Sequence, residues 1–267
     1  MLHVKNYILL ATIFFISKGF ANAVENVFLC YGKIAVDEIK NYKYVILEEA
    51  YYTKEEVLKI KENNQKVLCY ISLGELDKYV SYYEEAKNYV LPGKNAIWDS
   101  YFLDLSKEGL QNILLKNIEK KLAKGFDGLF LDNIDNYGTW GKQKQLKKHL
   151  YIFLAKIVTN FPNAYLMQNA GLDMVSTTHD FIDSIAIESV ITNYDFSKKR
   201  YRLREEKESR KLIKSIKKIE EEYQIPFLLI EYTNDLKMYK KIQKKLKKYK
   251  WSLFVGQIDL QQKPTFN

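Results

Sequence analysis

Short β-rich runs alternate repeatedly along this chain with longer segments of helical period. Eight strand candidates stand out, at residues 27–31, 44–47, 67–72, 128–131, 164–167, 184–187, 227–230 and 252–255. Between them apolar residues recur at spacings of three and four, as in Val57-Ile60, Leu110-Leu114-Ile118-Leu122, Leu212-Ile216-Ile219 and Ile242-Leu246. Eight strands with helical crossovers in about 240 residues match a barrel in count and size. The expected fold class is α/β, a single (β/α)8 TIM barrel. A doubly wound open sheet would carry a phosphate loop after its first strand. No G-x-G-x-x-G or Walker sequence occurs here. No Pro-, Gly- or Ser-rich linker divides the chain, so residues 24–267 read as one domain. The aromatic stretch 79–98 reads as a long loop after the third strand.

Residues 1–23 read as a secretory signal. Lys5 supplies the positive end, residues 7–16 the apolar stretch, and Ala21-Asn22-Ala23 a small-x-small cleavage pattern. About 10 apolar residues fall short of the roughly 20 that a membrane span needs. The mature protein is therefore expected to be secreted or periplasmic, monomeric, and without a membrane span. Export permits a disulfide, but Cys30 and Cys69 each lie inside an apolar strand run, where buried thiols are common. Two buried thiols are favoured over a Cys30–Cys69 bridge. With 2 Cys and 3 His the chain is poor in soft metal ligands. No cofactor and no metal site are expected.

Lys+Arg 42 against Asp+Glu 33 gives a formal net charge of +9, which on its own suggests a nucleic-acid or anionic partner. The location of the charges argues otherwise. Residues 198–223 mix Lys and Arg with six Glu, and residues 236–250 hold eight Lys and no acid. Both stretches fit amphipathic helices with a solvated outer face, and a polyanion-binding face is the competing reading of the second. Barrel chemistry sits where strands end, and those ends are acidic or amide-bearing. In order they are Tyr31, Glu48-Glu49, Tyr70 to Glu75, Asp132 to Asp135, Gln168-Asn169, Glu188-Ser189, Glu231-Tyr232, and Gln257 with Asp259. No nucleic-acid partner is expected.

A mouth rich in carboxylates, amides and tyrosines favours glycoside chemistry. One carboxyl protonates the leaving oxygen while the other attacks the anomeric carbon or activates water. Crowding also raises carboxyl pKa values, which keeps an acid protonated near neutrality. Metal-assisted hydrolysis through Asp132 and Asp135 is the other use of the same residues.

The runs Val67-Leu68-Cys69-Tyr70-Ile71-Ser72-Leu73-Gly74-Glu75 and Gly125-Phe126-Asp127-Gly128-Leu129-Phe130-Leu131-Asp132-Asn133-Ile134-Asp135 resemble motifs of glycoside hydrolase family 114. Gln168-Asn169 and Ile187-Glu188-Ser189 follow in the matching order. That family includes endo-α-1,4-polygalactosaminidases. The resemblance implies an endo-acting glycosidase on an amino-sugar polysaccharide, with Asp132 and Glu188 as the catalytic pair. Asp132 would be nucleophile or base and Glu188 acid/base, or the reverse. Tyr31, Tyr70, Glu75, Asp135, Asn169, Glu231 and Tyr232 are the candidate sugar contacts, and Asp135 also reads as a helix cap or orienting partner. The chain departs from the fungal members, which carry a Trp/Arg-rich segment where this one reads Ile97-Trp98-Asp99-Ser100-Tyr101-Phe102-Leu103-Asp104. Tyr82, Tyr83, Trp98, Tyr137 and Trp140 are the candidate stacking platforms. A non-catalytic carbohydrate-binding barrel of the cell envelope is the alternative function.

Overall fold

A computed structural model describes residues 26–267; the signal segment expected at 1–23 lies outside them. Eight parallel strands form one sheet in simple chain order. They are β1 (Val27–Cys30), β2 (Tyr44–Leu47), β3 (Lys66–Ser72), β4 (Gly128–Asp132), β5 (Tyr165–Asn169), β6 (Ser184–Glu188), β7 (Phe227–Tyr232) and β8 (Ser252–Gly256). β1 and β8 adjoin at the seam, where the Tyr31 N–H donates to Leu260 O at 2.7 Å. This is the (β/α)8 barrel expected. The outer layer contains α1 (Lys54–Glu62), α2 (Glu108–Ala123), α3 (Lys147–Asn160), α4 (Glu206–Tyr223) and α5 (Leu236–Leu246). Among the described residues no helix is long and apolar enough to cross a membrane.

Strand side chains alternate between two cores, as a period of two requires. Leu29, Ile46, Leu68, Phe130, Met167 and Ile230 fill the barrel interior. Cys30, Leu47, Cys69, Leu129, Leu166 and Leu229 face the helices. Gly128 opens β4 where a Cβ would stand 1.9 Å from Tyr165 O, so only glycine lets the β4 and β5 backbones approach there. At the opposite end from the mouth, carboxylates close the strand starts. Asp127 accepts from the Val67 N–H at 2.8 Å and pairs with Lys61, and Asp183 accepts from the Leu166 N–H at 2.8 Å.

Cys30 and Cys69 are both free and buried. Leu47 separates them in strand register, so they stand two strands apart, about 9.5 Å, beyond the reach of a disulfide.

Two stretches differ from the sequence reading. Residues 79–98 are not a plain loop, because Glu75–Leu76, Val90–Asn95 and Ser100–Leu103 form a three-stranded antiparallel sheet. Residues 198–205 are not helical. Thr192–Asp195 and Arg200–Leu203 form a hairpin, pinned by the cross-strand pair Tyr194 and Tyr201 with ring centroids 4.9 Å apart. Asp104 accepts from the Ser106 N–H and hydroxyl, within the turn that precedes α2.

Candidate active site

Three neighbouring strands bring the two predicted acids together. β4, β5 and β6 end in Asp132, Asn169 and Glu188. Each is in phase with an interior residue two positions earlier, namely Phe130, Met167 and Ala186. All three side chains therefore point into the mouth, with Asn169 between the two acids. Its amide Nδ2 donates to both, at 2.8 Å to Asp132 Oδ1 and 2.7 Å to Glu188 Oε1. Two tyrosines complete the set: Tyr70 donates to Asp132 Oδ2 at 2.9 Å and Tyr232 to Glu188 Oε2 at 2.8 Å. Because one nitrogen bridges them, the two bridged oxygens lie no more than about 5.5 Å apart.

Both carboxyls are pushed above the ordinary carboxylate range, chiefly by burial. For Glu188 the next cause is the Asp132 charge. For Asp132 the next contributions are hydrogen bonds from Asn169, Tyr70 and the Asn133 backbone, all favouring its ionised form. Hydrogen bonds from Asn169 and Tyr232 act on Glu188 in the opposite sense, while the Asp132 charge favours its protonated form. Burial and the nearby carboxylates raise the Tyr31, Tyr70 and Tyr232 phenols well above their usual range, so all three stay protonated. Tyr31 packs against Tyr70 with centroids 4.7 Å apart. Asp135 is exposed at the rim, where the surrounding walls, and then the Asp132 charge, lift its carboxyl to about 6.

The residue after each of the three strand ends is left-handed without being glycine: Asn133 at φ 61°, Ala170 at φ 60° and Ser189 at φ 57°. Such backbone reverses the chain at once and leaves the preceding side chain standing at the strand tip. It costs roughly 1 kcal/mol at a non-glycine residue. Replacing Ala170 with Gly is therefore expected to stabilise the fold by about 1 kcal/mol and to raise the thermal midpoint by about 3 °C. Differential scanning calorimetry checks it.

Two predicted contacts are placed differently. Glu231 is in phase with the outward-facing Phe227 and Leu229, not with Tyr232. It is fully buried, and its carboxylate accepts from the Ile191 and Thr192 N–H groups and from the Thr192 hydroxyl. Glu231 thus anchors the start of the 192–203 hairpin and has no oxygen turned to the mouth. Glu75 is also buried, and binds Asn95, Asn136 and Ser100. It ties three segments of the mouth wall together and adds negative charge near Asp132 and Asp135. Gly74 beside it is required by close approach, since a Cβ would stand 2.7 Å from the Asn133 carbonyl oxygen. Asp132 shares little with a metal ligand, since neutral donors already engage both of its oxygens.

Of the aromatic candidates, Tyr82 and Tyr137 are buried, and Tyr137 donates to Leu73 O at 2.7 Å, so both serve packing. Trp140 is 94% exposed. Trp98, in the sheet excursion after β3, meets Phe196 of the hairpin after β6 edge-on, with centroids 5.5 Å apart. The sequence reading missed Phe196 and Tyr194. Their signal was the aromatic alternation in Tyr194-Asp195-Phe196, obscured by the lysines that follow.

The parallel barrel and its acidic mouth place the chain among the barrel glycoside hydrolases. The family model of glycoside-hydrolase family GH114 matches residues 33–264, and the chain belongs to that family. Its fold resembles the glycoside hydrolase domain of PelA from Pseudomonas aeruginosa, at TM-score 0.78 and 21% identity, with 89% of this chain and 96% of that one covered. It also resembles Ega3 of Aspergillus fumigatus, solved in complex with galactosamine, at TM-score 0.69 and 15% identity, with 91% and 95% covered. In sequence, the uncharacterised protein MJ1477 of Methanocaldococcus jannaschii is 26% identical over 121 residues. That match spans 40% of this chain and about a third (35%) of MJ1477.

Proposed function

We propose that this protein is an exported, endo-acting glycosidase of a galactosamine-containing polysaccharide, with Asp132 as nucleophile and Glu188 as acid/base. The observation that carries this reading is the single Asn169 amide bridging two half-buried carboxylates. An oxygen separation of at most about 5.5 Å suits a retaining reaction and is tight for a water between the acids. In the first step an Asp132 oxygen attacks the anomeric carbon while Glu188 gives its proton to the departing glycosidic oxygen. In the second, Glu188 takes a proton from water as that water attacks the same carbon and releases Asp132. Tyr70 and Tyr232 hold the two acids in place and line the sugar site with Tyr31. Asn169 Oδ1, buried without a hydrogen-bond partner among the described residues, is suited to accept from a sugar hydroxyl or ammonium group. The galactosamine in the Ega3 complex supports the amino-sugar class, and an acidic mouth suits a cationic ring.

The test is incubation of the purified protein with α-1,4-linked galactosamine polymer, following polymer size and new reducing ends. Rapid loss of size with few new ends is expected of endo cleavage. Saccharide binding without any product would instead make it a carbohydrate-binding barrel.

Asp135 gives a pH signature. Its carboxyl, lifted to about 6, takes up a proton as pH falls through that value and stops attracting an ammonium group. KM for a galactosamine substrate is expected to rise about threefold between pH 7 and pH 5, the scale of one exposed charge pair. In Asp135→Asn that rise should disappear. Steady-state kinetics across the range checks both.

A further inference from the structure

Nearly all of the excess positive charge sits in one segment, α5 and the turn that follows it. Residues 236–250 carry eight lysines and no acid, and the rest of the chain holds 34 basic against 33 acidic residues. α5 turns Ile242 and Leu246 to the barrel, where both are buried. Lys237, Lys240, Lys241 and Lys244 are exposed on its outer side, around a depression that also includes Leu236, Asn267 and Asp235, whose carboxylate caps the helix by accepting from the Met238 N–H. Among the described residues none of these four lysines makes an ion pair; Lys245, which reaches Glu206, is the one paired lysine of α5. By contrast α4, alongside, interleaves its six basic residues with five acids.

We infer that the outer face of α5 docks the barrel on the surface of an anionic lipid bilayer. Four features favour a bilayer over a soluble polyanion. Every cation of the face is a lysine, a point charge without the planar fork that grips individual phosphates. It offers no free aromatic for a base or a sugar ring: Tyr239 stacks on Phe266 and Tyr249 on Trp251, with centroids 4.3 and 4.4 Å apart. The helix's apolar side is already spent on the barrel, so it adsorbs without inserting. Its straight row of charges reads surface charge density, the property a bilayer of anionic headgroups supplies. Because barrel helices run alongside the strands, docking on α5 lays the barrel on its side with the mouth opening along the membrane plane.

The test is co-sedimentation with vesicles of phosphatidylcholine alone, or with 30% phosphatidylglycerol. The chain is expressed in full and its N-terminus is read by mass spectrometry. Two fourfold variants remove the same charge from different places. One is Lys237→Gln, Lys240→Gln, Lys241→Gln, Lys244→Gln on α5. The other is Lys207→Gln, Lys211→Gln, Lys214→Gln, Lys218→Gln on α4. All eight residues are exposed, and circular dichroism verifies that the folds match. The expected result is binding that needs phosphatidylglycerol and falls with salt. It should drop about tenfold or more in the α5 variant and less than twofold in the α4 variant. Equal losses in the two variants would reduce the effect to net charge and overturn the inference. So would undiminished binding by the α5 variant, or no preference for anionic vesicles. Capture by soluble polyphosphate without vesicle binding would assign the face to a polymer instead.

Discussion

Asp132→Asn and Glu188→Gln are each expected to lower kcat on galactosamine polymer by about a thousandfold or more, the scale of losing a nucleophile or an acid/base. Both variants keep the size and shape of the side chain, so the loss reports charge and proton chemistry. Shortened variants then separate the roles. With an activated aryl glycoside and azide, Asp132→Ala lets azide attack the anomeric carbon directly, giving a product of inverted configuration. In Glu188→Ala the Asp132 ester still forms and azide displaces it, giving retained configuration. Proton NMR of the azide products reads the difference. The opposite pattern would exchange the two roles. Full activity in both isosteric variants would remove the pair from catalysis.

Asn169→Ala comes next in expected effect, because one nitrogen serves both acids. Its loss is expected to lower kcat/KM by about a hundredfold, the scale of removing one preorganised donor. It also leaves a clearer mark. The Asn169 hydrogen bonds lower the pKa of Asp132 and of Glu188, so removing them raises both. The acidic limb of the pH profile, where the nucleophile must shed its proton, then moves to higher pH. A side chain that merely packed the mouth would reduce the rate and leave the profile in place. Asn169→Asp adds a third carboxyl within reach of the other two and should move the limb further in the same direction.

The barrel is legible in the sequence because its strands are short apolar runs separated by helices with threefold and fourfold spacing, a local pattern. The mouth is legible because polar residues close those runs. What escaped is what depends on phase or on distance between strands. Glu231 stands next to Tyr232 in sequence, but alternation turns it outward with Leu229, and counting parity from Ile230 would have shown it. The Asn169 bridge depends on the spacing of three adjacent strands, which no single segment encodes. Phe196 and Trp98 meet across about a hundred residues of chain, through two excursions whose lysines and irregular spacing mask their strands.

The left-handed residues behind Asp132, Asn169 and Glu188 have a consequence for anyone who would move this centre into another barrel. Copying the three side chains onto the tips of three adjacent strands would not be enough, because the recipient must also reverse its backbone immediately after each. Valine, isoleucine or threonine at 133, 170 or 189 would resist that reversal. A more exacting search pattern for such centres is then three dipeptides, each an acid or amide followed by a residue tolerant of positive φ. Here they read Asp132-Asn133, Asn169-Ala170 and Glu188-Ser189. An enzyme drifting in sequence could exchange much of its helical shell before it could exchange any of these three neighbours.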